Sequence, residues 1–213
     1  KMLEDINRGH WELWDNKLLN QILVPISEKI VARNPSFDIK EGIIAIDFGT
    51  KSTVVACQTN TDQILPLRIG KGNYKEAAQY KDYENPTIVE FIDINQFLNS
   101  YIKKPGRPYT SWEDITVSHT ASINLRESTS NQINSFFQDL KKWASLKDKK
   151  VKLTDKKGEE FTLNSFLETS DGLNPIEIYA YYLGLYINNQ YNGIYFKYLL
   201  TYPVTYENEI KEK

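Results

Sequence analysis

The residues best suited to chemistry lie in a short polar loop between two apolar runs, in the segment IIAIDFGTKSTVVACQ (43–58). Asp47 ends the first run, and Gly49 permits a sharp turn whose backbone N–H groups can point at an anion. The next residues add two hydroxyl groups and a positive charge: Thr50, Lys51 and Ser52. A carboxylate beside phosphates requires a cation, and Mg²⁺ is usually held by few protein carboxylates. The loop therefore predicts a phosphate clamp in which Asp47 positions the metal.

The same pattern also suits a plain hairpin turn, in which Asp47 accepts hydrogen bonds from the loop amides. Two common nucleotide motifs are absent from the sequence, namely the G-x-G-x-x-G of dinucleotide-binding folds and the G-x-x-x-x-G-K of P-loops. The loop alone does not separate the phosphate site from the plain turn, so the surrounding residues must decide.

Length and composition limit the kinds of protein to which this loop can belong. The chain has 213 residues, of which 40% are hydrophobic and 25% charged, so it can bury a sizeable core in one large domain or two small ones. Its formal net charge of −2 provides no broad basic surface for nucleic acid or for an anionic membrane. We therefore expect no nucleic-acid partner and no membrane partner.

Cysteine and histidine usage argues against a metal centre built on these residue types. Cys57 is the only cysteine in the sequence, so a reducing compartment, the cytoplasm, is expected. The two histidines, His10 and His119, are far apart in the sequence. We see no signal peptide and no apolar run long enough to span a bilayer, and the last residues read as a helix cut short. We expect a piece of a longer chain.

Residues 1–41 are predicted to form an N-terminal helical extension and a linker. Four apolar residues recur every three or four positions, as on one face of a helix: Trp11, Trp14, Leu18 and Ile22. Such a stripe is more typical of packing against a domain than of ligand binding. The polar stretch that follows contains Pro35 and ends at Gly42, which indicates a linker.

Residues 42–213 are predicted to form the main part of the protein. Three apolar runs separated by polar turns suit an antiparallel meander: 43–47, 53–58 and 63–69. A fourth strand is predicted in TIVEFID (87–93). The segment 101–123, which contains two prolines and many hydroxyl residues, is predicted to be irregular.

The second half is predicted to contain two helices, a hairpin and a final strand. A helix from Asn131 onward would place five residues on one face: Ile133, Phe136, Phe137, Leu140 and Ala144. A hairpin is expected to turn at Gly158. The Asn-Pro-Ile-Glu sequence at Asn174 combines an N-cap, a first-turn proline and a glutamate three residues later, which predicts a helix start. The apolar run 194–203 predicts a buried strand.

The polar loop and its flanking runs resemble the first phosphate motif of the superfamily that contains actin, hexokinase and the 70-kilodalton heat-shock chaperones. The loop is most similar to that of the chaperones, whose motif has Asp, an apolar residue, Gly and Thr in this order. Three later segments resemble the chaperones in order and approximate spacing: NPTIVEFID (85–93), FFQDLKKWA (136–144) and YLLTYPVTYENEIKEK (198–213). Together the four segments cover residues 42–213.

The resemblance implies an α/β fold of the ribonuclease H-like (actin-like ATPase) type, with a mixed five-stranded sheet and helices. Residues 42–213 would form the first lobe of a two-lobed ATPase, truncated at the C-terminus, with ATP in a cleft facing the second lobe. Subdomain Ia would hold the opening hairpin and the last strand, and subdomain Ib the residues between them.

The resemblance also implies roles for individual residues in binding and hydrolysing Mg²⁺-bound ATP. Asp47 would orient the metal and its waters. The β- and γ-phosphates would be bound by the adjoining loop, namely the amides of Gly49, Thr50 and Lys51, with a hydroxyl from Ser52. Lys141 would position the attacking water and stabilise the developing charge. Pro203 and Lys211 would couple the nucleotide state to movement of the lobe.

Three positions depart from the chaperone pattern. Lys51 stands where a second threonine is usual, Ser52 replaces an aromatic residue, and Lys211 stands where an arginine is usual. The two changes in the loop affect the expected rate of hydrolysis more than the expected binding.

Three functions remain open from the sequence. The first is the ATP-binding and ATP-hydrolysing lobe of a chaperone-like ATPase, which would reach protein clients or co-chaperones through regions outside this chain. The second is an actin-like module for protein interaction with a degenerate nucleotide site. The third is a sugar or acetate kinase of the same fold, which is disfavoured because the loop lacks the second Gly or Asn that those enzymes usually show.

Overall fold

The structure is a computed structural model that describes residues 35–59, 63–70, 77–101, 113–146, 148–169, 172–191 and 193–213. The strands in these ranges are β1 (Ile43–Phe48), β2 (Ser52–Gln58), β3 (Ile64–Leu67), β4 (Asn85–Pro86), β5 (Val89–Phe91), β6 (Ile115–Val117), β7 (Phe136–Phe137), β8 (Val151–Thr154), β9 (Glu160–Leu163) and β10 (Tyr198–Thr201). The α-helices are α1 (Ile94–Tyr101), α2 (Ser118–Glu127), α3 (Leu140–Ala144), α4 (Pro175–Gln190) and α5 (Asn208–Glu212). The chain therefore has a mixed α/β fold. The predicted N-terminal helix lies outside the described residues.

The main sheet is a mixed five-stranded sheet with the order β10-β1-β2-β3, in which β4 pairs with the start of β2. Strands β1, β2 and β3 form an antiparallel meander, which confirms the three predicted strands. Strand β10 runs parallel to β1, so that the two strands end at the same edge of the sheet. That shared edge is where the loop after Phe48 begins.

One face of the main sheet carries part of the hydrophobic core. Residues alternate between the two faces along β1 and β2, and Ile44, Val55 and Cys57 are fully buried on one of them. The same core cluster includes Tyr179 and Ile187 of α4, so this helix belongs to the layer that covers the sheet.

Helix α4 begins where the sequence predicts. The side chain of Asn174 accepts hydrogen bonds from the backbone N–H groups of Ile176 (3.0 Å) and Glu177 (3.3 Å), and Pro175 occupies the first turn. The predicted hairpin is also confirmed, since β8 and β9 pair around a turn in which Gly158 has a φ of +95°.

A second sheet has the order β6-β5-β7 and corrects two sequence-based expectations. The predicted strand at 87–93 is shorter than expected, since only Val89–Phe91 form β5, and this strand lies in the second sheet. The segment 101–123 is not irregular throughout, because it contains β6 and the first part of α2, whereas residues 102–112 are outside the described part. The alternation in β6 is only three residues long, too short to be recognised without its partner β5.

The helix predicted from Asn131 onward is wrong. The chain instead forms a 3₁₀ helix (Ser130–Ser135), then β7, then the short helix α3. Adjacent Phe136 and Phe137 are both buried, and β7 pairs with Val89 and Glu90 of β5. Pairing with a strand distant in the sequence overrides the helix-like spacing of the apolar residues here.

The last strand is also shorter and more exposed than predicted. Strand β10 spans Tyr198–Thr201, and all four of its residues are exposed at the edge of the main sheet. A continuous apolar run is typical of a strand that is buried on both faces. Strand β10 instead lies at the edge of the sheet, where β1 is its only partner among the described residues. In the same described residues, no helix is long and apolar enough to cross a membrane.

Candidate functional site

The parallel pairing of β1 and β10 places two polar side chains side by side at the edge of the main sheet. Asp47 and Thr201 are register partners near the carboxyl ends of their strands. The Thr201 hydroxyl donates a hydrogen bond to the Asp47 carboxylate at 2.5 Å. Both residues are exposed, so the carboxylate lies on an open surface of the protein.

The loop that follows β1 is tight and open to solvent. Phe48 and Thr53 are the last paired residues of the hairpin, and Thr50 and Lys51 between them are exposed. A Cβ atom at Gly49 would lie 2.1 Å from the carbonyl oxygen of Ser52, a distance that backbone atoms do not tolerate. The turn therefore requires glycine at position 49, as the sequence predicts.

Thr87 stabilises this loop by two hydrogen bonds to its backbone. Its backbone N–H donates to the carbonyl oxygen of Lys51 (3.0 Å), and its hydroxyl donates to that of Gly49 (3.0 Å). The same hydroxyl lies 2.9 Å from the hydroxyl of Thr53, and Thr87 is buried. Both loop contacts use carbonyl oxygens, so they do not consume the loop N–H groups that would bind an anion.

Two further buried side chains, those of Asn85 and Tyr179, hydrogen-bond to the backbone around Thr87. The Asn85 side chain donates to the carbonyl oxygens of Thr53 (3.1 Å) and Leu67 (2.9 Å), which joins β2 to β3 at this end. The Tyr179 hydroxyl of α4 donates to the carbonyl oxygen of Pro86 at 3.0 Å. Burial raises the pKa of Tyr179 to about 12, so the phenol keeps the proton that this hydrogen bond needs.

Lys141, predicted as the catalytic lysine, reaches the start of the loop. Its Nζ donates to the carbonyl oxygen of Phe48 at 2.7 Å, although the two residues are 93 positions apart in the sequence. The residue is half-buried on α3, and its own carbonyl oxygen accepts a hydrogen bond from the Tyr206 hydroxyl at 2.6 Å. The structure thus places the Lys141 Nζ against the backbone of Phe48, the residue that follows Asp47 in the sequence.

The predicted switch residues lie on the segment that leaves β10. Pro203 is half-buried two residues after Thr201, and its carbonyl oxygen accepts a hydrogen bond from the backbone N–H of Tyr206 at 3.1 Å. Lys211 lies on α5 with its Nζ 5.7 Å from the centre of the Tyr202 ring, within the range of a cation–π contact. Tyr206 therefore links the Pro203 turn directly to α3.

The residues at this edge fit a metal held mainly by phosphate and water. In the described part of the chain, no group of three or more His, Cys, Asp or Glu side chains could hold a metal ion alone. Asp47 is a single exposed carboxylate, and Mg²⁺ in nucleotide sites keeps several waters and uses one or two carboxylates together with phosphate oxygens. The donor set therefore suits Mg²⁺-bound phosphates better than a dedicated metal cage.

Four residues at this site carried no predicted role: Thr87, Thr201, Tyr179 and Tyr206. Three of them, Thr87, Thr201 and Tyr206, stand inside segments that carry the family resemblance, but a threonine beside a proline or at a strand end is common in proteins. Their importance becomes visible only in the hydrogen bonds that they make across the fold.

Comparison with known proteins adds no assignment to this geometry. No protein-family model matches the chain, and no curated protein is similar to it in sequence at a significant level. Support for a function therefore comes from the contacts within the site.

Proposed function

We propose that this chain is the first lobe of an actin-like ATPase resembling the 70-kilodalton heat-shock chaperones, with Mg²⁺-bound ATP as its ligand. The observation that carries the proposal is the hydrogen bond from Lys141 to the carbonyl oxygen of Phe48. It joins the two segments to which the resemblance assigns the catalytic lysine and the phosphate loop. The hydrogen bond directs the Lys141 Nζ at the protein backbone, whereas a half-buried surface lysine keeps its charged end in water.

The sheet arrangement supports the finer fold proposal, a ribonuclease H-like domain. The opening hairpin and the last strand share one mixed sheet, as expected for subdomain Ia, while β5, β6 and β7 form a separate sheet, as expected for subdomain Ib. A ligand placed at the carboxyl ends of parallel strands also agrees with the general rule for open α/β sheets.

Each site residue has a distinct role in the proposed reaction. Mg²⁺ supplies charge neutralisation to the phosphates when bound. Asp47 would hold the hydrated metal, and Thr201 orients that carboxylate by the hydrogen bond that it donates. The loop N–H groups from Gly49 onward donate to phosphate oxygens, which is the preferred use of such a backbone concavity. Lys141 transfers its hydrogen bond from the Phe48 carbonyl to the γ-phosphate and the attacking water.

Movement of the lobe would begin at the same lysine. Tyr206 donates to the backbone of Lys141 and to the turn at Pro203, so a shift of α3 is transmitted to the segment after β10. We propose that Pro203 and Lys211 carry this change toward client-binding or co-chaperone-binding regions outside this chain.

The test is Mg²⁺-dependent ATP binding and hydrolysis by the full-length protein, with calorimetry and phosphate release as readouts. Asp47→Asn is expected to weaken Mg²⁺-dependent binding. Lys141→Ala is expected to lower kcat by roughly 10²–10³-fold with a small change in binding, the effect typical of removing a donor to transition-state charge. Lys142→Ala is the matched control, because Lys142 is the exposed neighbour of Lys141 on the same helix. Unchanged turnover in Asp47→Asn and Lys141→Ala would refute the proposed mechanism.

The second candidate function is an actin-like module that binds other proteins without hydrolysing ATP. Lys51 favours it, because its exposed side chain occupies a position where the chaperones have a threonine at the phosphates. Calorimetric titration of ATP with and without Mg²⁺ distinguishes the two functions. Saturable Mg²⁺-dependent binding is required by the ATPase and is not expected of the protein-binding module.

A further inference from the structure

The face of the main sheet that points away from the core is apolar as well. The register places four exposed apolar side chains on this outer face, one from each strand of the sheet path: Ile43, Val54, Ile64 and Leu199. Ala45 and Ala56, which are register partners at its centre, add two small residues. An antiparallel sheet that faces water normally alternates apolar inward with polar outward residues. Asp47 and Thr201 lie on this same face at the carboxyl end of β1, and Gln58 lies at its amino end. Between these polar residues the outer face has the composition of a buried surface.

The chain before β1 joins the sheet at one end of this face. Ile39 pairs in parallel with Ile194, and hydrogen bonds connect the backbones of Lys40 and Ile194 (2.9 Å) and of Ile194 and Asp38 (2.7 Å). This pairing places residues 38–40 at the amino end of β1. Ile43 and Ile64 lie at that same end, because both align with Gln58, whereas Asp47 lies at the opposite end.

Residues 1–34 contain an apolar stripe of a suitable size for this face. The spacing of Trp11, Trp14, Leu18 and Ile22 predicts a helix with one apolar side. Twelve helical residues extend for about 17 Å. Four adjacent strands are about 14 Å wide. Helix and face are therefore matched in length, and small residues such as Ala45 and Ala56 allow close approach of large aromatic side chains.

We propose that residues 1–34 pack their tryptophan stripe on the outer face of the main sheet, as an intramolecular cover over Ile43, Ala45, Val54 and Leu199. The proposal goes beyond the ATPase function and does not depend on it, since no nucleotide enters the argument. Its physical basis is the burial of two apolar surfaces that the connection at Ile39 holds close together, which lowers the entropy cost of their association.

Two adjacent leucines of β10 provide an internal control for the test. Leu199 lies on the outer face and is 61% exposed, while Leu200 lies on the opposite face and is 59% exposed. Carbene footprinting with mass spectrometry measures side-chain accessibility residue by residue. It would compare the full-length protein with the same protein carrying Trp11→Asp, Trp14→Asp and Leu18→Asp. We expect labelling of Leu199 to rise severalfold in the variant while labelling of Leu200 stays constant.

A second measurement keeps the proposal testable if the triple variant does not fold. In the otherwise native chain, Leu199→Asp should increase acrylamide quenching of the tryptophan fluorescence, whereas Leu200→Asp should not. Equal labelling of Leu199 in both chains, or equal quenching in both leucine variants, would overturn the proposal. Protection of Leu199 that depends on protein concentration would also overturn it, because a second copy would then be the occupant of the face.

Discussion

At the scale of single residues, the candidate site depends on uncharged threonines that hold other groups in place by hydrogen bonds. Thr201 fixes the Asp47 carboxylate, while Thr87 fixes two carbonyl groups of the loop and contacts Thr53. The sequence already indicates a carboxylate, a glycine turn and a lysine. It does not indicate which hydroxyl groups hold them, because each of these contacts joins residues more than thirty positions apart.

Thr87→Val tests this role of the buried hydroxyl. The variant keeps the volume of the side chain but removes a hydrogen-bond partner from the carbonyl oxygen of Gly49 and from the buried hydroxyl of Thr53. Leaving a buried polar group without a partner costs about 1–3 kcal/mol. We expect a lower free energy of unfolding in urea and severalfold faster hydrogen exchange of the backbone N–H of residue 87, which donates to the carbonyl oxygen of Lys51. Thr87→Ser keeps the hydroxyl and is the control. A valine variant in which this N–H exchanges as slowly as in the serine variant would contradict the assigned role.

At the scale of elements, local signals predict those parts of the fold that need no distant partner. The N-cap at Asn174 and the glycine turn at Gly158 were predicted correctly, since both depend on residues within a few positions. The predicted helix around Phe136 failed because β7 exists only by pairing with β5. Periodicity in a short apolar segment does not distinguish a helix from a strand that another strand completes.

The N-cap of α4 gives a prediction at this scale. Asn174→Ala removes the acceptor for two backbone N–H groups and should lower the free energy of unfolding by about 1 kcal/mol. Asn174→Asp retains an acceptor at the same position and, being an anion near a helix N-terminus, should be close to the native protein. Urea unfolding followed by circular dichroism measures both. Equal losses in the two variants would show that the side-chain cap does not stabilise the helix.

At the scale of the whole molecule, contacts between the two sheets decide how the site is supported. β5, in the second sheet, begins two residues after Thr87, and the backbone N–H of Ser118 at the start of α2 donates to the carbonyl oxygen of Ile88 between them (3.0 Å). His119 at the start of α2 donates from Nε2 to the carbonyl oxygen of Asp82, which precedes β4 of the main sheet. Buried Glu90 accepts hydrogen bonds from Thr116 and Lys156 within the second sheet and its hairpin.

The contact of His119 makes stability depend on pH. Burial lowers the pKa of His119, an effect to which the nearby charges of Arg68 and Arg126 also contribute and which Asp82 opposes. The unfolded chain then binds a proton at a higher pH than the folded chain. Stability is therefore complete above the ordinary histidine pKa of about 6.5 and falls as the pH drops below it.

His119→Gln checks this prediction, because glutamine retains a donor for the Asp82 carbonyl but does not titrate. The loss of unfolding free energy between about pH 7.5 and about pH 5.5, either side of the ordinary histidine pKa, should be smaller in the variant than in the native chain. Carboxylates and His10 titrate in both proteins and cancel in the comparison. An identical loss in the two proteins would exclude His119 as the source.

The sequence by itself determined the meander of the main sheet, the glycine turn after Phe48 and the start of α4. These features follow from alternation, turn chemistry and capping, which act between residues close together in the chain. Only the tertiary structure decided that Lys141 reaches the Phe48 carbonyl, that β10 lies exposed beside β1 and that Thr87 holds the loop. Those contacts join residues tens of positions apart, and no local pattern encodes a distance that depends on how two sheets and a helix pack together.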